Sequence, residues 1–261
     1  MLGALIGDMV GSRFEWNNYK NKDFELCHSD CRATDDSVLT IGTAQALLDK
    51  LPFGEVYRTC YRRYPHAGYG ANFAAWALGE SDEGYNSFGN GSAMRVAPVG
   101  WYEQSLDRVL QQAQQSAIVT HSHPEGVRGA QVVASAIFMA RQGQSKDQIK
   151  EYVEQNFGYA LDQTPDEIRP AYQFDVTCQG SVPQALCCFL HSSDVEDALR
   201  TAVSIGGDSD TIACISGSIA EAFYGGVAHE LMGWCLGKLD VPQRQLVIRF
   251  RREVMGIVTA D

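Results

Sequence analysis

Two short acidic segments constrain this chain more than anything else in it. Thr34-Asp35-Asp36-Ser37 and Asp208-Ser209-Asp210-Thr211 each place paired carboxylates and a Thr hydroxyl at the start of an apolar helical pattern. The first runs into SVLTIGTAQALLDK, with Val38, Ile41, Ala44 and Leu48 on one stripe. The second runs into IACISGSIAEAFYGG, whose small and apolar residues mark a buried helix. Capping is one reading, because Asp, Ser and Thr are favoured at N-caps and suit the positive end of the helix dipole. One such residue per helix suffices for that, whereas paired aspartates occur here twice. The other reading is a cation. Buried helices pack together, and four converging carboxylates raise one another's pKa unless a positive ion sits among them. Carboxylate and hydroxyl donors without Cys or His select a hard ion, Mg²⁺ or Mn²⁺, over zinc.

The rest of the chain reads as helix. Gly3, Gly7 and Gly11 recur every fourth residue, so they share one helix face and admit a close helical neighbour. Residues 105–119 and 124–143 carry two more helical patterns, the second with Pro124 in its first turn and Gly143 at its close. Ser145 and Gln148 form a capping box, and Thr164-Pro165-Asp166-Glu167 is a further helix start that Pro170 soon interrupts. Patterns at 182–190 and 194–205 complete the set, and no run alternates as a strand does. The expectation from the patterns is an all-α fold in one domain, residues 1–261. Residues 80–100 and 155–180 read as loops.

Composition narrows the function classes. A net charge of −11 excludes nucleic acid and anionic membrane surfaces as general partners, since both select basic faces. An anionic small molecule stays admissible if a metal or backbone amides receive it. The eight cysteines lack zinc-site spacing, and several sit in apolar helical patterns, so they are expected as reduced thiols of a cytoplasmic protein. The start, MLGALIGDMVGSRFEW, has no basic region and is interrupted by Asp8, unlike a signal peptide. No stretch has the uncharged length of a membrane span.

Three further features bear on chemistry. Asp8 and Glu15 lie seven apart, nearly eclipsed if the first helix continues that far. A lone Glu there is ordinarily a surface residue, but beside a metal cluster it becomes a candidate base or ligand. Phe88-Gly89-Asn90-Gly91-Ser92-Ala93-Met94-Arg95 follows no strand and is not a dinucleotide fingerprint. It reads either as an ordinary turn or as a nest of amides for a phosphate. His121 and His123, one residue apart with no third partner evident, read as a helix-start loop in which His121 is free to hydrogen-bond a ligand.

Together, GALIGDMVGSRFE, TDDSVLT, SFGNGSAMRVAPVG, THSHPEGVRGA and SIGGDSDTIACISGSIAEA, in this order, resemble the ADP-ribosylglycohydrolase family over residues 3 to 226. The resemblance implies an all-α, compact orthogonal helical domain with a central acidic metal-binding cleft, in which two Mg²⁺ ions are held by Thr34, Asp35 and Asp36 on one side and Asp208, Asp210 and Thr211 on the other. It implies Glu15 as a ligand or base, with Asp35 and Asp210 as further catalytic carboxylates, and a structural role for Asp8. Gly89, Asn90, Gly91, Ser92, Ala93 and Met94 match the phosphate loop, Phe88 the ribose or adenosine contact, and His121 a group near the diphosphate. The implied substrates are ADP-ribosylated proteins or small-molecule acceptors, cleaved at C1″ to release ADP-ribose. The competing readings are a non-catalytic ADP-ribose reader and a Mg²⁺-dependent nucleotide pyrophosphohydrolase.

Overall fold

The computed structural model describes residues 1–81 and 83–256, and among them there is no strand, only one isolated bridge between Gly89 and Thr177. The helices are α1 (Leu2–Gly11), α2 (Asp35–Asp49), α3 (Phe53–Arg63), α4 (Ala71–Leu78), α5 (Gly91–Met94) and α6 (Ala97–Tyr102). They continue as α7 (Leu106–Ile118), α8 (Pro124–Arg141), α9 (Lys146–Phe157), α10 (Pro165–Ile168) and α11 (Cys178–Leu190). The last four are α12 (Val195–Ser204), α13 (Ser209–Tyr224), α14 (His229–Lys238) and α15 (Val241–Val254). None is long and apolar enough to cross a membrane. One cluster of buried apolar residues runs from Met1 to Phe250.

The centre of the fold is the pair α1 and α13, and glycines set their separation. A Cβ added at Gly3, Gly7 or Gly11 would fall 2.1–2.3 Å from the carbonyl oxygens of Gly217, Ala213 and Ser209 respectively. These are backbone atoms, so the two helices touch main chain to main chain, as the four-residue spacing predicted. Gly7→Ala is therefore expected to destabilise the fold by about 3 kcal/mol, the upper end for overpacking, because no side-chain rotamer can yield. Denaturant melting checks this, and a loss below about 1 kcal/mol would contradict the close packing.

Several local expectations meet their structures. Ser145 and Gln148 make both bonds of a capping box, as do Thr164 and Glu167, and α10 stops before Pro170. Others differ. The 182–190 pattern starts at Cys178, because Thr177 caps the amide of Gly180 and Pro183 is accommodated inside the helix. The 155–180 segment is not merely a connector, since Phe174 and Val176 wall the cavity into which the acidic residues open.

Candidate active site

The acidic helix starts meet as the buried-helix argument required. One carboxylate oxygen each of Asp8, Asp36 and Asp210 lie within 4.8 Å of one another, and so do one each of Glu15, Asp208 and Asp210. Asp36, Asp208 and Asp210 are each no more than 6% exposed. The loop before α13 reaches this point through Gly206 and Gly207, both at left-handed φ (73° and 76°), a conformation other residues adopt at a cost.

Capping does not account for the aspartates. At α2 the cap is Thr34, whose hydroxyl accepts from the Asp36 amide, and Asp8 completes it. Asp8 accepts from the Thr34 amide (2.9 Å), the Thr34 hydroxyl (2.6 Å), the Ser37 amide (3.0 Å) and the Ser37 hydroxyl. Those four donors saturate Asp8 and make it structural, despite its place in the cluster. At α13 Asp208 holds the cap position but makes no side-chain cap bond. It instead accepts from the Asn90 side-chain amide at 2.7 Å. Among the described residues Asp210 accepts only from the amide of its neighbour Thr211, at 2.9 Å. Asp36 Oδ1 is buried with no hydrogen-bond partner among the described residues. No Lys or Arg forms an ion pair with Asp35, Asp36, Asp208 or Asp210 among the described residues.

The electrostatics register this crowding. Burial, then Asp8 and other neighbouring carboxylates, push Asp35 up to about 8. Burial, then Asp208, push Glu15 up to about 7, with Arg32 opposing. Asp36 and Asp210 lie well above the carboxylate range, burial first and neighbouring carboxylates next. A cluster of oxygen donors with an orphaned buried oxygen and no ion-paired Lys or Arg among the described residues has the donor set of a hard divalent ion.

The carboxylates open into a cavity of about 540 Å³, within the range of small-molecule sites. Glu15, Asp35, Asp36, Asp208, Asp210 and Thr211 form its acidic end. Gly89, Asn90, Gly91, Met94, Arg95 and His121 form a second wall. The amides of Gly91 and Ser92 have no backbone acceptor among the described residues, and Gly91 borders the cavity. A third wall carries Tyr69, Phe73, Tyr85 and Phe174. Trp16, stacked on Phe174 at 5.0 Å, stands 75% exposed beside Glu15.

Some sequence expectations need correction. Helix α1 ends at Gly11, so Glu15 lies in the following turns and not above Asp8 on a helix. Phe88 does not line the cavity, and its ring meets His123 edge-on at 5.4 Å. The Ser92 hydroxyl is spent on Gly126 O, Ala93 is buried, and neither side chain lines the cavity. Thr34 is likewise behind the wall, its hydroxyl proton directed to Asp8. His123, by contrast, sits as the helix-start reading had it, as the N-cap of α8. Sequence reasoning missed the segment from Gly68 to Phe73, whose Gly68 backbone approaches Asp35, and missed Tyr85, Arg95, Phe174 and Val176. Only the GYG run at 68–70 hinted that backbone there approaches something closely.

Comparison with known proteins meets this geometry. Residues 1–244 match the family model described as ADP-ribosylglycohydrolase. The chain belongs to this family. It is similar to human ADP-ribosylhydrolase ARH3, 27% identical over 305 aligned residues that cover 86% of this chain and 84% of that one. It is similar as well to ADP-ribosylarginine hydrolase Tri1 of Pseudomonas putida (strain GB-1), 24% identical with 86% and 69% covered. A solved structure described as an ADP-ribosylglycohydrolase-related protein complex shares the fold, with TM-score 0.71 at 22% identity over 97% of each chain. The chain is thus an all-α glycohydrolase, with an acidic cleft suited to a metal site.

Proposed function

We propose that this chain, as one catalytic domain spanning residues 1–261, hydrolyses the C1″ glycosidic bond of ADP-ribosylated acceptors and releases ADP-ribose. The observation that carries this reading is a single cavity with two complementary ends. One end holds carboxylates with no cationic partner, and the other borders amides with no protein acceptor. Two Mg²⁺ ions, or Mn²⁺ on the same donors, would be held at the first end by Asp35 and Asp36 on one flank and Asp208, Asp210 and Thr211 on the other, with Thr34 bracing the first flank from behind through Asp8. Bound there, such ions supply the positive charge that orients sugar hydroxyls and activates water.

The chain's own groups do the remaining work. The turn from Gly89 to Met94 receives the diphosphate on the Gly91 and Ser92 amides, which explains how an acidic protein holds an anion. Tyr69, Phe73 and Tyr85 offer apolar faces for the adenosine end. Glu15 is half-exposed at the acidic end, close to Asp208 and Asp210, and so reaches both solvent and substrate. It takes the proton of the attacking water and returns it to the leaving atom. The bond from C1″ to the acceptor nitrogen or oxygen breaks with its electron pair on the acceptor, as the bond from C1″ to the water oxygen forms. The transition state is oxocarbenium-like, and Asp35 and Asp210 stabilise it electrostatically.

The alignment with ARH3 is longer than this chain itself, 305 positions against 261 residues, so the relative carries insertions that this chain lacks. Short loops leave the cleft open to varied or small acceptors. All eight cysteines are free thiols, which fits a reducing, cytoplasmic compartment. Glu15→Gln tests the proton role. With ADP-ribosyl-serine and ADP-ribosyl-arginine peptides, kcat is expected to fall by about 10²–10⁴-fold, with ADP-ribose affinity within about threefold of the parent. An unchanged kcat would remove Glu15 from the chemistry.

A further inference from the structure

Among the residues lining the cavity His121 is the one imidazole, and the groups behind it favour one place for its proton. Its Nδ1 lies 2.7 Å from the Thr120 hydroxyl oxygen. That same oxygen accepts a hydrogen bond from Arg95 Nη2 at 2.7 Å. Arg95 is fully buried, its guanidinium carbon 4.2 Å over the Tyr57 ring, and it also donates to Ser116 O at 2.9 Å. A guanidinium only donates, so Thr120 Oγ1 must be the acceptor from Arg95. A hydroxyl has one proton, and among the described residues the only acceptor in hydrogen-bond contact with Thr120 Oγ1 is His121 Nδ1. A bare Nδ1 gives the Thr120 proton that acceptor, whereas a protonated Nδ1 would leave the buried Thr120 hydroxyl proton with none among the described residues.

The other nitrogen faces the ligand side. Nε2 makes no hydrogen bond to the protein among the described residues, and lies 3.0 Å from where a Cβ on Gly91 would stand. His121 is 5% exposed, and its backbone amide anchors it to Ala117 O at 2.7 Å.

We propose that Arg95 and Thr120 are positioning residues that fix His121 as the tautomer with Nδ1 bare and Nε2–H directed at the glycine turn, as a neutral donor to a diphosphate oxygen. The diphosphate rests on the function proposed above, whereas the tautomer does not. The alternative tautomer would turn a lone pair toward the anion and repel it. Burial and the Arg95 charge hold the imidazole well below its ordinary pKa, so it carries one proton, consistent with this assignment. Around it stand Arg95 behind, Tyr85 with its ring centroid 5.9 Å away, and Asp35 across the same cavity.

The test is ¹⁵N NMR of histidine-labelled full-length protein, in which ring-nitrogen shifts and couplings report the protonated nitrogen. The ligand-free protein is expected to show His121 protonated at Nε2 alone between about pH 6 and 8. Protonation at Nδ1, or a mixture, would overturn the relay. Thr120→Val is expected to give mixed tautomers and to weaken ADP-ribose binding about tenfold, with Thr120→Ser restoring both. A Thr120→Val protein that keeps pure Nε2–H would show that the relay does not set the tautomer. On adding ADP-ribose, the Nε2–H resonance is expected to move downfield. If it stays in place while the tautomer is as assigned, the diphosphate reading fails and the relay stands, so the two failures are distinguishable.

Discussion

Asp36→Asn and Asp210→Asn are each expected to lower kcat/KM by about 10³-fold or more while raising the melting temperature of the metal-free protein. The two effects share one cause. Each Asp is buried among carboxylates and neither forms an ion pair, so folding concentrates negative charge at a cost. Asn keeps the size and one acceptor oxygen and removes the repulsion, which at about 1–2 kcal/mol is about 2–8 °C for a chain of this length. The same change removes a charged donor from the cation site, and several kcal/mol of charge stabilisation is about 10³ in rate. A capping role predicts something else, because Asn caps as well as Asp does. Asn variants with full activity, or with lowered melting temperature in EDTA, would return these residues to structure.

The second large effect is a pH-dependent stability that a divalent ion abolishes. Glu15 and Asp35 bind protons more tightly folded than unfolded. Stability from such groups is complete below the ordinary carboxylate range and is lost as pH rises through the folded values, about 7 for Glu15 and about 8 for Asp35. His121 shifts the opposite way, so its contribution is lost only as pH falls below its ordinary value. In EDTA the melting temperature is therefore expected to fall between about pH 6.5 and 8.5, a window in which His121 stays neutral. Mg²⁺ at about one hundred times its Kd adds about 2.7 kcal/mol, or about 5–10 °C, with the larger gain at the alkaline end. Differential scanning calorimetry across that range reads both. A melting temperature indifferent to EDTA and Mg²⁺ at every pH would contradict the metal site.

The acidic site was legible because its information is local. TDD and DSDT each sit at the start of a helix whose apolarity forces burial, and two buried helices must meet. The glycines at 3, 7 and 11 were legible for the same reason: a four-residue period names a face, and absent side chains name a close neighbour. The cavity's other walls were not. Tyr69 and Phe73 have no period that distinguishes a cavity wall from a core, and Phe174 becomes a wall only because the 88–90 turn pairs with the 176–178 segment. Asn90 reads as a loop residue, yet its amide holds Asp208 across 118 positions of sequence. Phe88 misled in the opposite sense, as an aromatic beside a ligand turn whose ring packs outward on His123.

The most direct measurement is the product formed from ADP-ribosyl-serine and ADP-ribosyl-arginine peptides, resolved chromatographically in Mg²⁺ and in EDTA, with Asp208→Asn alongside. The account predicts intact ADP-ribose in Mg²⁺, almost none in EDTA, and almost none from the variant. AMP as the product would make the cleft a pyrophosphohydrolase, and ADP-ribose bound tightly without turnover of either peptide would make it a reader. Either result would contradict hydrolysis at C1″.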